Sequence, residues 1–236
     1  MPKLRRPALA LFVIAAGMVL TGCASVVPNA GGLPVGSELL ATSGTAMRAV
    51  TSAHLTVDVQ GALPGVSIKH AAADLDAHGT AQGTARIVES GGPVKVDFVL
   101  LKHNFYVKRP TGGYQKAAPG TSGDLLDLTA ALNPNHGLAR LVMDVNGATT
   151  QDTETVDGVE CYRVTGTADR HDLAAVVPGL RSDAAATVWV ATSDFHLLVR
   201  AEYAVAGLHG GRGAKVDVAI SNVNAPVSVT APGVAG

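Results

Sequence analysis

Cys23 is the side chain best placed for covalent chemistry. It closes the run Leu20-Thr21-Gly22-Cys23, directly after an apolar stretch from Ala8 to Leu20, and Lys3, Arg5 and Arg6 lie ahead of that stretch. A basic start, a short apolar core and small residues before the cut make a secretory signal. The core is shorter than the ~20 residues that a spanning helix needs. Leu-Thr-Gly-Cys is also the lipobox pattern of bacterial lipoproteins: the thiol takes a diacyl group, the small residues fit the peptidase, and cleavage leaves the modified cysteine as the new N-terminus. The expectation is a signal peptide over residues 1–22, lipidation at Cys23, and a product held by acyl chains at the extracytoplasmic face of the cell membrane.

Other residues with chemical potential do not form a reacting set. Gly120-Thr121-Ser122-Gly123-Asp124 lacks the second glycine of a nucleophile elbow and reads as a loop into a helix cap. The histidines (His54, His70, His78, His103, His136, His171, His196 and His209) contain no His-x-x-x-His or His-x-His pair, so no metal site is expected. Asp74 and Asp76 share a strand face with His78 and read as solvated groups rather than paired acids of a glycosidase. Cys161, left without a partner once Cys23 is acylated, reads as a small buried hydrophobe. Gly207 to Gly213 lacks the strand–loop–helix context of a phosphate loop. Neither an enzyme nor a cofactor is expected.

Composition narrows the classes further. Apolar residues make up 47%, charged residues 16% and aromatics 4%, and the net charge is −1. The leader holds three cations and no acid, so the remainder is more acidic still. Nucleic acid is excluded as a partner, since it calls for a basic patch and stacking aromatics. Few charges and much aliphatic surface suit either a large core or an apolar cavity.

The elements that must position any site follow from periodicity. Residues 24–35 carry Pro28, Gly31, Gly32 and Pro34 and read as a flexible tether. Leu39, Leu40, Ser43, Ala46, Met47 and Val50 recur at helical spacing, weakened by Gly44. Alternating runs follow over residues 54–60, 68–77, 80–88, 94–101 and 105–108. A helix capped by Ser122 or Asp124 holds Leu125, Leu128 and Leu132 and stops at Asn133-Pro134; a second holds Leu138, Leu141, Val142 and Val145. Strands return at residues 149–155 and 160–167, joined by Asp157-Gly158, a type I′ hairpin signal. A short helix near residues 172–177 precedes strands at 185–191, 197–206 and 214–223. About nine strands and four helices make an α+β domain over residues 38–232, with residues 23–37 as the lipidated tether and residues 233–236 as a tail. Four helices cannot lie flat over so many strands, so the sheet should curl into a half-barrel around them.

The order of features resembles the mycobacterial LppX/LprA/LprF/LprG lipoprotein family. The likeness rests on His54-Leu55 with Val57, Leu63 to Lys69, Ala73-Asp74-Leu75 and the Phe98–Val107 strand pair. It continues in Leu132-Asn133-Pro134-Asn135-His136-Gly137-Leu138-Ala139, Asp157-Gly158-Val159 and Ala186-Thr187-Val188-Trp189-Val190. The resemblance implies a strongly bent antiparallel sheet packed on helices around a hydrophobic cavity. It also implies binding or carriage of acylated envelope lipids or glycolipids, with a lipid transporter and host Toll-like receptor 2 as further partners. It supplies no short ligand motif, so candidate cavity-wall residues come from the strand and helix faces: Val94, Val96, Phe98, Leu100, Leu125, Leu128, Leu132, Leu138 and Leu141. Two other readings stand beside the carrier: an interaction lipoprotein with a solid core, and an esterase of envelope lipids.

Overall fold

The computed structural model describes residues 32–63, 66–101, 104–117, 131–176, 182–193, 195–207 and 213–233. Cys23, the tether up to residue 31, Leu125, Leu128, His103 and most of the Gly207–Gly213 loop lie outside these residues. Eleven strands are described: β1 (Ser52–Gln60), β2 (Ile68–Asp76), β3 (Thr80–Glu89), β4 (Gly92–Leu101), β5 (Asn104–Lys108), β6 (Gln115–Lys116), β7 (Val145–Val156), β8 (Val159–Ala168), β9 (Ala184–Ala191), β10 (Leu198–Val205) and β11 (Ala214–Ser221). Helices α1 (Gly36–Met47), α2 (Leu138–Met143) and α3 (Arg170–Val176) accompany them. The strands form one open antiparallel sheet in the order β6-β5-β4-β3-β2-β1-β11-β10-β9-β8-β7. Two meanders therefore meet in the middle, where the first strand pairs with the last: Val57 lies opposite Val218.

Alternation assigns one face of every strand to the interior. A single transverse row runs through Val96, Ala85, Ala71, Val57, Val218, Ala201, Val188, Val164 and Thr150, all opposite one another in register and all buried. Laid flat, eleven strands would span roughly 48 Å. One connected core nevertheless joins Phe105 on β5, Leu39 and Leu40 on α1, and Val145 on β7. The sheet bends around that core. Between Ile68, Leu75 and Ile87, the inward positions of β2 and β3 are the short Ala71, Ala73, Ala81, Gly83 and Ala85. These short side chains keep the concave floor low beneath the longer ones of β4 and β5.

Helix α1 buries Leu39, Leu40, Ser43, Gly44 and Met47 along one stripe, as the spacing predicts. Gly44 is there for contact: a Cβ would run into the Met143 side chain and come within 2.8 Å of the Ala139 carbonyl oxygen. Gly36, the first residue of α1, presses on the backbone of Ala148 in the same way, at 2.6 Å. The fold thus begins inside the segment read as tether.

The sequence reading differs from the structure in three places. Val145 is the first residue of β7 and not the last of a helix, because α2 ends at Met143 with Asp144 as its C-cap and Val145 fills the space that Gly166 leaves on β8. Strand β6 is two residues long, too short for any alternation to register. Added to the ten alternating runs named above, β6 brings the described sheet to eleven strands, against the count of about nine. At the β7–β8 turn, Asp157 (φ 51°) and Gly158 (φ 83°) adopt the positive φ values that a type I′ hairpin requires.

The convex face carries cross-strand ion pairs that account for several of the scattered polar residues. His54 pairs with Asp74 (2.7 Å) and His70 with Asp58 (2.8 Å), reciprocally across β1 and β2. Arg200 grips Asp217 through two nitrogens (2.7 and 3.0 Å) and lies over the Trp189 ring. Asp76 accepts the backbone N–H groups of His78 and Thr80, closing the β2–β3 turn.

Candidate functional site

A cavity of about 450 Å³ opens on the concave side where β3, β4, β5 and β6 end. Its floor is apolar: Ile87 from β3, Val96 from β4, Phe105 and Val107 from β5, and Ala117 after β6. Register brings these residues together. Val96 lies opposite Ala85 and Phe98 opposite Val107, so inward positions on β3, β4 and β5 face a common space. The short inward side chains of β3 leave that space unfilled. The Phe98 ring packs tilted against Phe105, with centroids 5.9 Å apart, and backs the floor from within the core.

The rim is polar. Arg109, just past β5, meets Glu89 at the end of β3 at 2.8 Å and so reaches across the start of β4. Both side chains are solvated, which makes the pair worth little to stability and easy to open. Ser67, Thr111, Gln115 and Lys116 complete the mouth, and Val88 stands exposed beside it. Strand β6 is fastened by the Ala117 N–H donating to the Phe105 carbonyl (2.8 Å). The described lining contains no imidazole and no thiol, and its one carboxylate, Glu89, is engaged by Arg109. Such a site can bury an apolar chain and hold a polar group at its entrance. Among the described residues no cluster of three or more metal-ligating side chains occurs.

The nine residues expected to line a cavity occupy different places. Val96 faces this one. Val94 and Leu100 are partly buried against the core, and Phe98, Leu132 and Leu138 lie within it. Leu141, also buried, forms the floor of a different depression on the helix side. Leu125 and Leu128 lie outside the described residues. The floor residues not proposed from the sequence as cavity wall include Ile87, Phe105 and Val107. Their alternation is visible in the chain, but only the pairing of β3, β4 and β5 selects them.

Cys161 is fully buried against Ala191, Val199 and Trp189, away from the cavity, and burial pushes its thiol up to about 11.

The sequence profile of the LppX_LprAFG lipoproteins matches residues 36–229, which spans every described element. The chain belongs to that family. Curated relatives include the lipoarabinomannan carrier protein LprG of Mycobacterium tuberculosis, 28% identical over 97% of this chain and 95% of its own length. The protein of the same name from Mycobacteroides abscessus is 28% identical over 95% and 96%. Among solved structures, LppX of Mycobacterium tuberculosis superposes with a TM-score of 0.60 at 26% identity, covering 81% of this chain and 98% of its own. LprF of Mycobacterium bovis gives a TM-score of 0.73 at 24% identity, covering 84% and 96%, and so shares the fold. The LppX_LprAFG fold is thus this open antiparallel sheet with a few helices, in a lipoprotein family whose members include the LprG proteins named as lipoarabinomannan carriers.

Proposed function

We propose that this lipoprotein takes acylated lipids or glycolipids into the β3–β6 cavity and carries them across the periplasmic space, tethered by acyl chains on Cys23. One observation carries the reading: an apolar floor of Ile87, Val96, Phe105 and Val107 opens directly onto a rim of Arg109, Glu89, Gln115 and Lys116. That is the polarity profile of a lipid, tail inward and head at the mouth. If a methylene takes about the ~30 Å³ of a water, the cavity holds roughly 15 of them, close to one acyl chain. Their transfer from water is worth about 12 kcal/mol gross at ~0.8 kcal/mol per methylene, much of which association and ordering take back. A second or third chain requires the cavity to widen. The carrier name of the LprG relatives supports the same reading. A lipid transporter and host Toll-like receptor 2 are the partners that the family resemblance adds to it.

The test is native mass spectrometry of the protein purified from a mycobacterial host, followed by solvent extraction. Near-stoichiometric acylated lipid is the expected result. A clean unliganded mass, with no uptake of added glycolipid, removes the carrier reading and leaves an interaction lipoprotein.

A further inference from the structure

A second depression, of about 380 Å³, lies in the helix layer and is lined by Asn135, His136, Arg140, Leu141, His171 and Asp172. It shares no residue with the lipid cavity. We infer that it is a binding site for a phosphate group, borne either by a lipid head or by a free phosphate ester, built by the Asn133–Gly137 turn, α2 and the first turn of α3. This inference does not rest on the carrier reading.

The scaffold is a fixed one. Asn133 Oδ1 accepts the Asn135 N–H (2.9 Å), and the Gly137 N–H donates to the Asn133 carbonyl (2.9 Å), which closes the turn. Leu132 and Leu138, on either side, are buried in the core and pin both ends. Asn135 and His136 are therefore held outward at the tip. On α2, Leu138, Ala139, Leu141 and Val142 face the core and Arg140 is the residue left facing out. Its Nε is held by Asp144 one turn later, which orients the guanidinium and leaves its terminal nitrogens available. On α3, the His171 N–H donates to Asp169 Oδ1 (2.8 Å), fixing the first turn.

Four donor-bearing side chains from three elements thus border one concavity over an apolar floor. Neither the His136 nor the His171 imidazole has a hydrogen-bond or ion-pair partner among the described residues. By contrast His54, His70 and His196 are each hydrogen-bonded. Asp172 is the one acid of the lining, with Asp144 and Asp169 already engaged by Arg140 and the α3 backbone. A phosphate has enough oxygens to accept from an arginine fork, an amide and two imidazoles at once, whereas a carboxylate has two.

The probe is inorganic phosphate, added to the full-length protein in neutral detergent at constant ionic strength and fixed pH. The histidine ring resonances are followed by NMR. Saturable shifts at His136 and His171 are expected, absent with chloride; in His136→Gln the His171 shift, and in His171→Gln the His136 shift, should need about tenfold more phosphate, the loss expected for one hydrogen bond to a charged group. Both positions are exposed, so each variant should keep its fold, and far-UV circular dichroism checks this. Glycerol 3-phosphate and dihexanoyl phosphatidylinositol then separate the sources: a tighter response to the first marks a soluble ester, and to the second a lipid head. Val96→Trp should leave the phosphate response intact, so failure of the cavity reading and failure of this one are distinct. No saturable shift, or a phosphate dependence of the remaining histidine unchanged in both single variants, would overturn the inference.

Discussion

Val96 stands at the meeting point of core and cavity: it is buried, opposite Ala85, and forms part of the cavity floor. Replacing it with tryptophan fills the space over the short side chains of β3. We expect Val96→Trp to abolish co-purification of acylated lipid while circular dichroism stays native. Undiminished lipid capture by the folded variant would place the lipid elsewhere. Cys161 tests a different property. Burial raises its thiol to about 11, so the folded state keeps the proton that an unfolded thiol loses near 9. The associated stability is complete below about pH 9 and is lost as pH rises through about 11. Iodoacetamide should therefore leave Cys161 unmodified in the native protein at pH 8 and alkylate it in denaturant, as read by intact mass. Nothing in its one-residue context distinguishes such a thiol from a reactive one. Its strand position made burial the better reading, and the packing of Trp189 and Val199 decides it.

Among the elements, α1 shows how a local weakness can serve a tertiary purpose. Glycine costs an isolated helix about 1 kcal/mol, yet Gly44 lets α2 approach so closely that a side chain there meets Met143 and the Ala139 carbonyl. Gly44→Val should lower stability by about 1–3 kcal/mol through overpacking, measured by urea denaturation. A neutral or stabilising change would show that α1 and α2 can move apart freely. The same contrast holds for the strands. The Asp157-Gly158 hairpin is written in two adjacent residues because its turn chemistry is local. Strand β6 owes its existence to Tyr106 and Val107 opposite it, not to its own two residues. The end of α2 was likewise misjudged from periodicity, since Val145 fits a helical stripe as well as it fits the notch above Gly166.

For the whole molecule, the proposed lipid uptake links binding to stability. A lipid that binds only the folded state adds about 2.7 kcal/mol at a hundredfold excess over its dissociation constant. Delipidated protein should therefore melt measurably lower than protein as isolated, and regain the difference when an acylated glycolipid is added. Equal melting temperatures would mean that the cavity is not the site of uptake. The sequence by itself carried the expectation of a signal and lipobox at Cys23 and determined the α+β class, most strand positions and the inward face of each, because these depend on neighbours in the chain and on periods of two or 3.6 residues. It also pointed to an aliphatic interior without a reacting set. Only the tertiary structure decided that β1 and β11 join the two meanders and that Ile87, Val96, Phe105 and Val107 share one cavity. The same holds for Arg109 reaching Glu89 across its mouth, and for His136 and His171 bordering a second depression. Each of these is a meeting of residues distant in sequence, and which residues meet is fixed by strand register and by the bending of the sheet over its helices.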